Sequence, residues 1–226
     1  MEASLSTGQV EFPTLSPGVT LLTMDNRAVG ALQSLVLDHL LIGDGTAIWV
    51  DARNNAITTT LSKLAPSKRV LERISVARGF TPFQHYGIVE DLPEALASTT
   101  ELVVAPDIDW FYRKAELQAG EGEQMLEDVL ERLHHLADTH EIPVLLSRAQ
   151  QAGVGEIVAA EAEELLTCEL TKFGPRFSGD DFETLVFECA DGWMQTTLAY
   201  WRRLLDIKHP STLTGEPTGV STLGSY

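Results

Sequence analysis

Cysteine is almost missing: there are two in 226 residues, Cys168 and Cys189. Two thiols at that spacing make neither a disulfide framework nor a zinc-ligand set, so both read as reduced core residues. Long apolar runs are missing too. No stretch approaches the roughly 20 apolar residues of a membrane-spanning helix. The opening MEASLSTGQVEF has neither the basic nor the apolar region of a secretory signal, and by elimination the expected location is cytoplasmic. Lysine is scarce: five of the 16 basic residues are lysine, against 33 Asp and Glu, for a net charge of −17. Such a surface repels phosphate backbones unless a local basic patch overrides it. It is also the surface a salt-loaded cytoplasm selects, because carboxylates stay hydrated and repel one another where screening is strong. No internal repeat or domain-sized linker is visible.

What is present has an ordinary globular balance, 44% apolar and 22% charged. That is enough chain for a full core without staples. Short apolar runs predict strands at 19–24 (VTLLTM), 47–50 (AIWV), 74–80 (ISVARGF), 102–105 (LVVA) and 144–146 (VLL). Helical stripes lie between them. Leu32, Leu35, Val36 and Leu40 mark one, and Met125, Leu126, Val129, Leu130, Leu133, Leu136 and Ala137 mark the strongest. Pro66 opens a further helix that Val70 to Arg73 continue. Thr81-Pro82-Phe83-Gln84 has the N-cap, N1 proline and N3 amide of a capping box. From Leu165 the pattern becomes strands and hairpins, with Asp191-Gly192 as a two-residue turn. The expected fold is α/β: a mostly parallel sheet flanked by helices, with antiparallel strands at its C-terminal end. The expected division is an N-terminal arm (1–16), one core domain (17–207) and a disordered tail (208–226) rich in Gly, Ser, Thr and Pro.

The first strand, loop and helix form the frame of a phosphate-binding loop. Its chemistry needs G-x-x-x-x-G-K-[ST]: amides to cradle phosphates, a lysine for the β and γ oxygens, and a hydroxyl for magnesium. The eight residues here are Asp25-Asn26-Arg27-Ala28-Val29-Gly30-Ala31-Leu32. Asp25 replaces the first glycine, Ala31 the lysine and Leu32 the hydroxyl, and only Gly30 survives. A carboxylate at the loop entrance repels a triphosphate.

Four longer blocks follow one another in order: 18–33 (GVTLLTMDNRAVGALQ), 69–84 (RVLERISVARGFTPFQ), 101–113 (ELVVAPDIDWFYR) and 122–150 (GEQMLEDVLERLHHLADTHEIPVLLSRAQ). Together they resemble the RecA/RadA-type recombinase superfamily, with an archaeal RadA-like or KaiC-like core, over roughly residues 17–190. The second block, similar to the family's V-A-R-A-F segment, is the most specific. The resemblance implies a RecA-like core, with the nucleotide site at matching positions. Arg53 then stands in place of the catalytic glutamate. Pro106 falls on the magnesium-orienting aspartate, with Asp107 one residue late, and Ser147-Arg148-Ala149 replaces the γ-phosphate-sensing Thr-Asn-Gln. Hydrolysis needs a held magnesium, a neutralised γ-phosphate and a positioned water. With all three lost, the resemblance implies an inactive ATPase with no catalytic residue, no cofactor and no metal. Asp25, Gly30, Ala31, Leu32, Arg53, Asp107, Ser147 and Arg148 mark its vestigial nucleotide site. Arg27 or Arg53 replacing the lysine charge, so that ATP binds without hydrolysis, is the less economical reading. A solvated turn residue at 27 and an Arg53 paired with a local carboxylate is the simpler one.

The family grips DNA with two loops. Here they map to KAELQAGEGEQ, with one Lys and three Glu, and to QQAGVGEIVAAEAEE, with four Glu and no cation. Direct DNA binding is therefore expected to be weak or absent. Lys63, Lys68, Arg69 and Arg73, and Arg202 with Arg203, read as solvated helix faces. His134 and His135 point about 100° apart on a helix and read as its surface, not as metal ligands. For partner binding, the arm offers Phe12-Pro13-Thr14-Leu15, similar to the family's Phe-x-x-Ala docking motif except at its last position. Trp193, Tyr200 and Trp201 are either core or an exposed aromatic patch. The expected function is a pseudo-ATPase accessory factor in DNA recombination, repair or chromosome maintenance. Its expected partner is a recombinase, another RecA-like subunit or a second copy of itself. The alternatives are a KaiC-like regulatory module and an ATPase subunit completed in trans.

Overall fold

Apolar runs too short to be helices, separated by amphipathic ones long enough to cross over, build a sheet with a helix between most strands. The computed structural model describes residues 12–24, 28, 30–56, 58–113, 117–171, 174–179, 183–188 and 194–196. In chain order these are β1 (Gly18–Met24), α1 (Ala31–Ile42), β2 (Thr46–Asp51), α2 (Thr58–Leu64), α3 (Lys68–Leu71), β3 (Ile74–Arg78), α4 (Pro82–Glu90) and α5 (Leu92–Ala95). They continue with β4 (Thr100–Ala105), α6 (Glu121–His140), β5 (Pro143–Ser147), α7 (Val154–Glu161), β6 (Glu164–Thr171), β7 (Gly174–Ser178), β8 (Glu183–Glu188) and β9 (Met194–Thr196). The sheet runs β3-β2-β4-β5-β1-β6-β7-β8-β9. Its first six strands are parallel and the rest antiparallel. This is the expected α/β class, with the strand arrangement of a RecA-like core. Glu188 opposite Met194 closes the last hairpin. Asp191 and Gly192 at its turn lie outside the described residues, as do Trp193, Tyr200, Trp201, Arg202, Arg203, Cys189 and the tail.

The four central parallel strands, β2, β4, β5 and β1, are buried on both sides. Leu22, Trp49, Val104, Leu145 and Leu166 face the core under α1, α2 and α3. Their neighbours Leu21, Val50, Val103 and Leu146 face the core under α4, α6 and α7. Each fully buried Val, Leu or Phe contributes roughly 1.5–3 kcal/mol, against about 0–1 kcal/mol for an exposed ion pair. The two cores therefore hold the fold whatever happens to polar residues at its edges. Cys168 is one of those core residues, a buried cysteine outside any disulfide. Among the described residues no helix is long and apolar enough to cross a membrane.

Two expectations are corrected here. Phe12 and Leu15, read as docking residues of an arm, are each only 5% exposed in this chain's own core. The Phe12 ring meets Phe177 edge-on at 5.6 Å, because an apolar pair two residues before Pro17 gains more by covering the sheet than by standing in water. The stretch matched to a second DNA loop is partly helical: Val154–Glu161 forms α7 and buries Val158.

The cap at α4 forms with its reciprocal bond shifted one residue, to the amide before the N-cap. Thr81 Oγ1 accepts from the Gln84 amide at 3.2 Å, and Gln84 Oε1 accepts from the Phe80 amide at 3.0 Å. This first turn lies so close to the exit of β3 that a Cβ on Gly79 would sit 2.9 Å from the backbone N and Cα of His85. Backbone cannot swing aside as a side chain tip can. Gly79→Ala is expected to cost roughly 1–3 kcal/mol through this overpacking, read as a lower urea midpoint with an unchanged slope. An unchanged midpoint would mean that α4 is free to slide.

Candidate functional site

Polar groups excluded from both sheet faces collect at the strand ends, and in open α/β sheets the carboxyl ends are where ligands bind. At that edge three buried or nearly buried aspartates each meet an arginine. Asp51, the last residue of β2, is fully buried. Its Oδ2 accepts from Arg78 Nε at 2.7 Å, and its Oδ1 accepts from the amides of Asn55 (2.7 Å) and Ala56 (3.4 Å). Asp107, after β4, has a left-handed backbone (φ 50°). Its carboxylate accepts from Asn55 Nδ2 at 3.0 Å and lies 3.6 Å from Arg53 Nη1. Asp109, also fully buried, accepts from the amides of Ala149 (2.6 Å) and Gln150 (3.3 Å) and lies 3.5 Å from Arg113 Nε. Burial raises the pKa of Asp109, while those amides and Arg113 pull the other way. Between the last two pairs sits Trp110, with the Arg53 and Arg113 guanidiniums over its ring at 4.1 and 4.8 Å.

The structure brings three of the expected positions together. Arg53 and Asp107 form an ion pair, and the Asp107 amide donates to Ser147 Oγ at 3.0 Å. Arg148 turns away and donates from Nη1 to the Gly155 carbonyl at 2.9 Å. Gly30 caps α1 in a left-handed conformation (φ 87°), while Ala31 and Leu32 in its first turn are buried in the core with Leu61 of α2. A Cβ on Gly30 would lie 3.4 Å from Leu64 Cδ1 and 3.6 Å from Thr60 Cγ2, so α2 lies over the start of α1. Asp25 and Arg27 are outside the described residues.

The arrangement has little to offer a metal or a phosphate. Each rim carboxylate is already held by a guanidinium and by amides. Among the described residues, no three His, Cys, Asp or Glu side chains are placed to share an ion. The carboxylates at 51 and 109, the stacked Trp110 and the arginines at 78 and 113 were not singled out by sequence reading. The pairing of Asp51 with Arg78 is between elements, while Asp109 and Arg113 pair locally four residues apart. His134 is more than helix surface. Its Nε2 donates to the Glu161 carbonyl at 2.7 Å and its Nδ1 lies 3.0 Å from Glu163 Oε1, tying α6 to the start of β6.

Beneath this rim His85 is completely buried, with Nδ1 2.8 Å from the Tyr112 hydroxyl and no partner for Nε2. Burial pushes its pKa down to about 4, against the opposing pull of Asp51. Burial likewise drives the Tyr112 pKa upward. His85 is thus a neutral structural group at neutral pH. An unfolded histidine titrates near 6.5, so below that pH the unfolded chain takes up a proton that the folded chain refuses until pH 4. The stability His85 contributes is full above pH 6.5 and falls by about 3 kcal/mol on the way to pH 4. Urea unfolding of wild type and His85→Gln at pH 7 and pH 4.5 reads this directly: the wild type should lose about 2–3 kcal/mol more than the variant. Parallel losses would assign the acid sensitivity to other groups.

Comparison of the sequence with models of known families and with curated proteins gives no match.

Proposed function

We propose that this chain is a catalytically silent, cytoplasmic relative of the RecA/RadA recombinases that works by binding protein. It is an accessory factor to a recombinase or another RecA-like subunit in DNA recombination, repair or chromosome maintenance. One observation carries this reading: the positions that should hold nucleotide and magnesium are occupied by the protein's own groups. Arg53 neutralises Asp107, and Ala31 and Leu32 belong to the core beneath α2. A hydrolase needs a cation beside the γ-phosphate, a carboxylate free to hold magnesium through water, and room for both. Here the cation and the carboxylate satisfy each other.

Binding is supported by a surface that sequence reading passed over. β3 is an edge strand, with one side unpaired among the described residues. On it and at its exit stand Val76, Phe80 and Phe83, 45%, 71% and 61% exposed. Large apolar side chains beside an open strand edge are a liability unless something covers them. The α7 region, with Glu156, Glu161, Glu163 and Glu164, favours reaching DNA through a partner rather than directly.

The test is calorimetric titration of the purified chain with Mg-ATP in high potassium chloride. No saturable heat into the millimolar range is the expected result, and saturable binding would overturn the silent-site reading. Retention on an immobilised recombinase, lost in Phe80→Asp/Phe83→Asp with unchanged circular dichroism, is expected for the binding half.

A further inference from the structure

Cations in this chain are outnumbered two to one, 16 against 33 acids, so an engaged cation is the default. Ten lysines and arginines fall among the described residues. Arg53, Arg78, Arg113, Arg132 and Arg176 pair with carboxylates, and Arg73 and Arg148 donate to backbone carbonyls. The remaining three, Lys63, Lys68 and Arg69, are exposed and have no partner among the described residues. All three stand within seven consecutive positions.

Lys68 lines one groove, and Lys63 and Arg69 directly follow its lining residues Ser62 and Lys68 in sequence. It lies between α2 and α3, has a volume of about 540 Å³, and is lined by Ser62, Ala65, Ser67, Lys68, Leu71 and Glu72. Ala65 and Leu71 are partly buried against the core beneath and give it an apolar floor. Glu72 is the one carboxylate in the lining, and it pairs with none of the three cations. The fold itself gains little from this placement. Lys68 and Arg69 sit in a helix of a single turn and make no ion pair among the described residues.

We propose that this groove docks an acidic segment of a partner protein. One apolar side chain enters between Ala65 and Leu71, and flanking carboxylates meet Lys63, Lys68 and Arg69. The proposal rests on the protein-binding reading above and supplies the chemistry of the partner. α3 runs through Glu72 and Arg73 directly into edge strand β3, so the groove lies at the start of the free edge. A nucleic acid would satisfy the cations but has no aliphatic group for the floor.

The probe is a fluorescein-labelled 12-residue peptide with leucine at every third position and glutamate elsewhere, measured by anisotropy against the full chain. The controls are its glutamine counterpart and a labelled oligothymidylate of 20 nucleotides. Saturable binding of the glutamate peptide is expected, weakening with salt. It should weaken about tenfold in Lys63→Glu/Lys68→Glu/Arg69→Glu, since each rim pair contributes roughly 0.2–1 kcal/mol. Ser67→Tyr, which blocks the groove without changing charge or removing a capping bond, should weaken it as well. All three positions are exposed, and an unchanged urea midpoint verifies that the variants fold. Three results would overturn the proposal: no saturable binding by wild type, equal binding by the triple variant, or the oligonucleotide binding as tightly as the peptide. The silent-site reading fails separately, by ATP binding in the calorimeter.

Discussion

A parallel sheet covered on both faces leaves its polar groups nowhere to go but the strand ends. Leu21 and Leu22, Trp49 and Val50, and Val103 and Val104 point alternately into two closed cores, and neither core admits an unpaired charge. The acids that end the strands are therefore buried by the architecture itself and must find partners at the rim. Asp51, Asp107 and Asp109 find arginines and amides. In an enzyme of this shape the same positions would be kept partly unsatisfied, ready for a metal or a phosphate. Here the need is met from within. Removing one partner of a buried pair leaves the other charge stranded, so Arg78 is tied to Asp51 as firmly as any core residue is to its neighbours.

The start of α1 and the ends of β2 and β4 are closed by different physics. At the start of α1 the closure is apolar: Ala31 and Leu32 join Leu61 in the core, with Leu64 lying over Gly30. At the ends of β2 and β4 it is electrostatic, through Arg53 and Asp107 over Trp110. The first closure is part of the core that packs the sheet, while the second lies at its rim.

Most of the fold was legible because continuous apolar runs bounded by turn residues have few other readings. The five parallel strands read from the sequence appear within one or two residues, and the N-cap at Thr81 forms as read, with the return bond from Gln84 reaching Phe80 instead. The failures have physical causes. α2 begins Thr58-Thr59-Thr60, a β-branched run with poor helix propensity, and becomes a helix only because Leu61 and Leu64 cover α1. The α7 segment was matched to a loop by analogy, although Val154, Ile157 and Val158 already had helical spacing. Phe12 was read by its likeness to a docking motif when its nearest use was Phe177, 165 positions away. Of the site, a carboxylate partner for Arg53 could be read from the sequence. Which carboxylate it was, and that Asp51 reaches across to Arg78, depends on strand order, which no local pattern encodes.

The strand order also determines when the chain can close. β1 lies between β5 and β6, with Gly18 opposite Pro143 and Met24 opposite Cys168. β1 therefore waits more than 120 residues for its neighbours, and at about 5–20 residues per second that is a delay of many seconds. Meanwhile β2, β3 and β4 can assemble with α2 through α5 between them, forming the far end of the sheet before its middle exists. Pairings this distant in sequence carry a large loop-closure entropy and slow the final step. Gly18 to Met24, apolar and unpaired for that interval, is the segment most in need of shelter while the protein is being made.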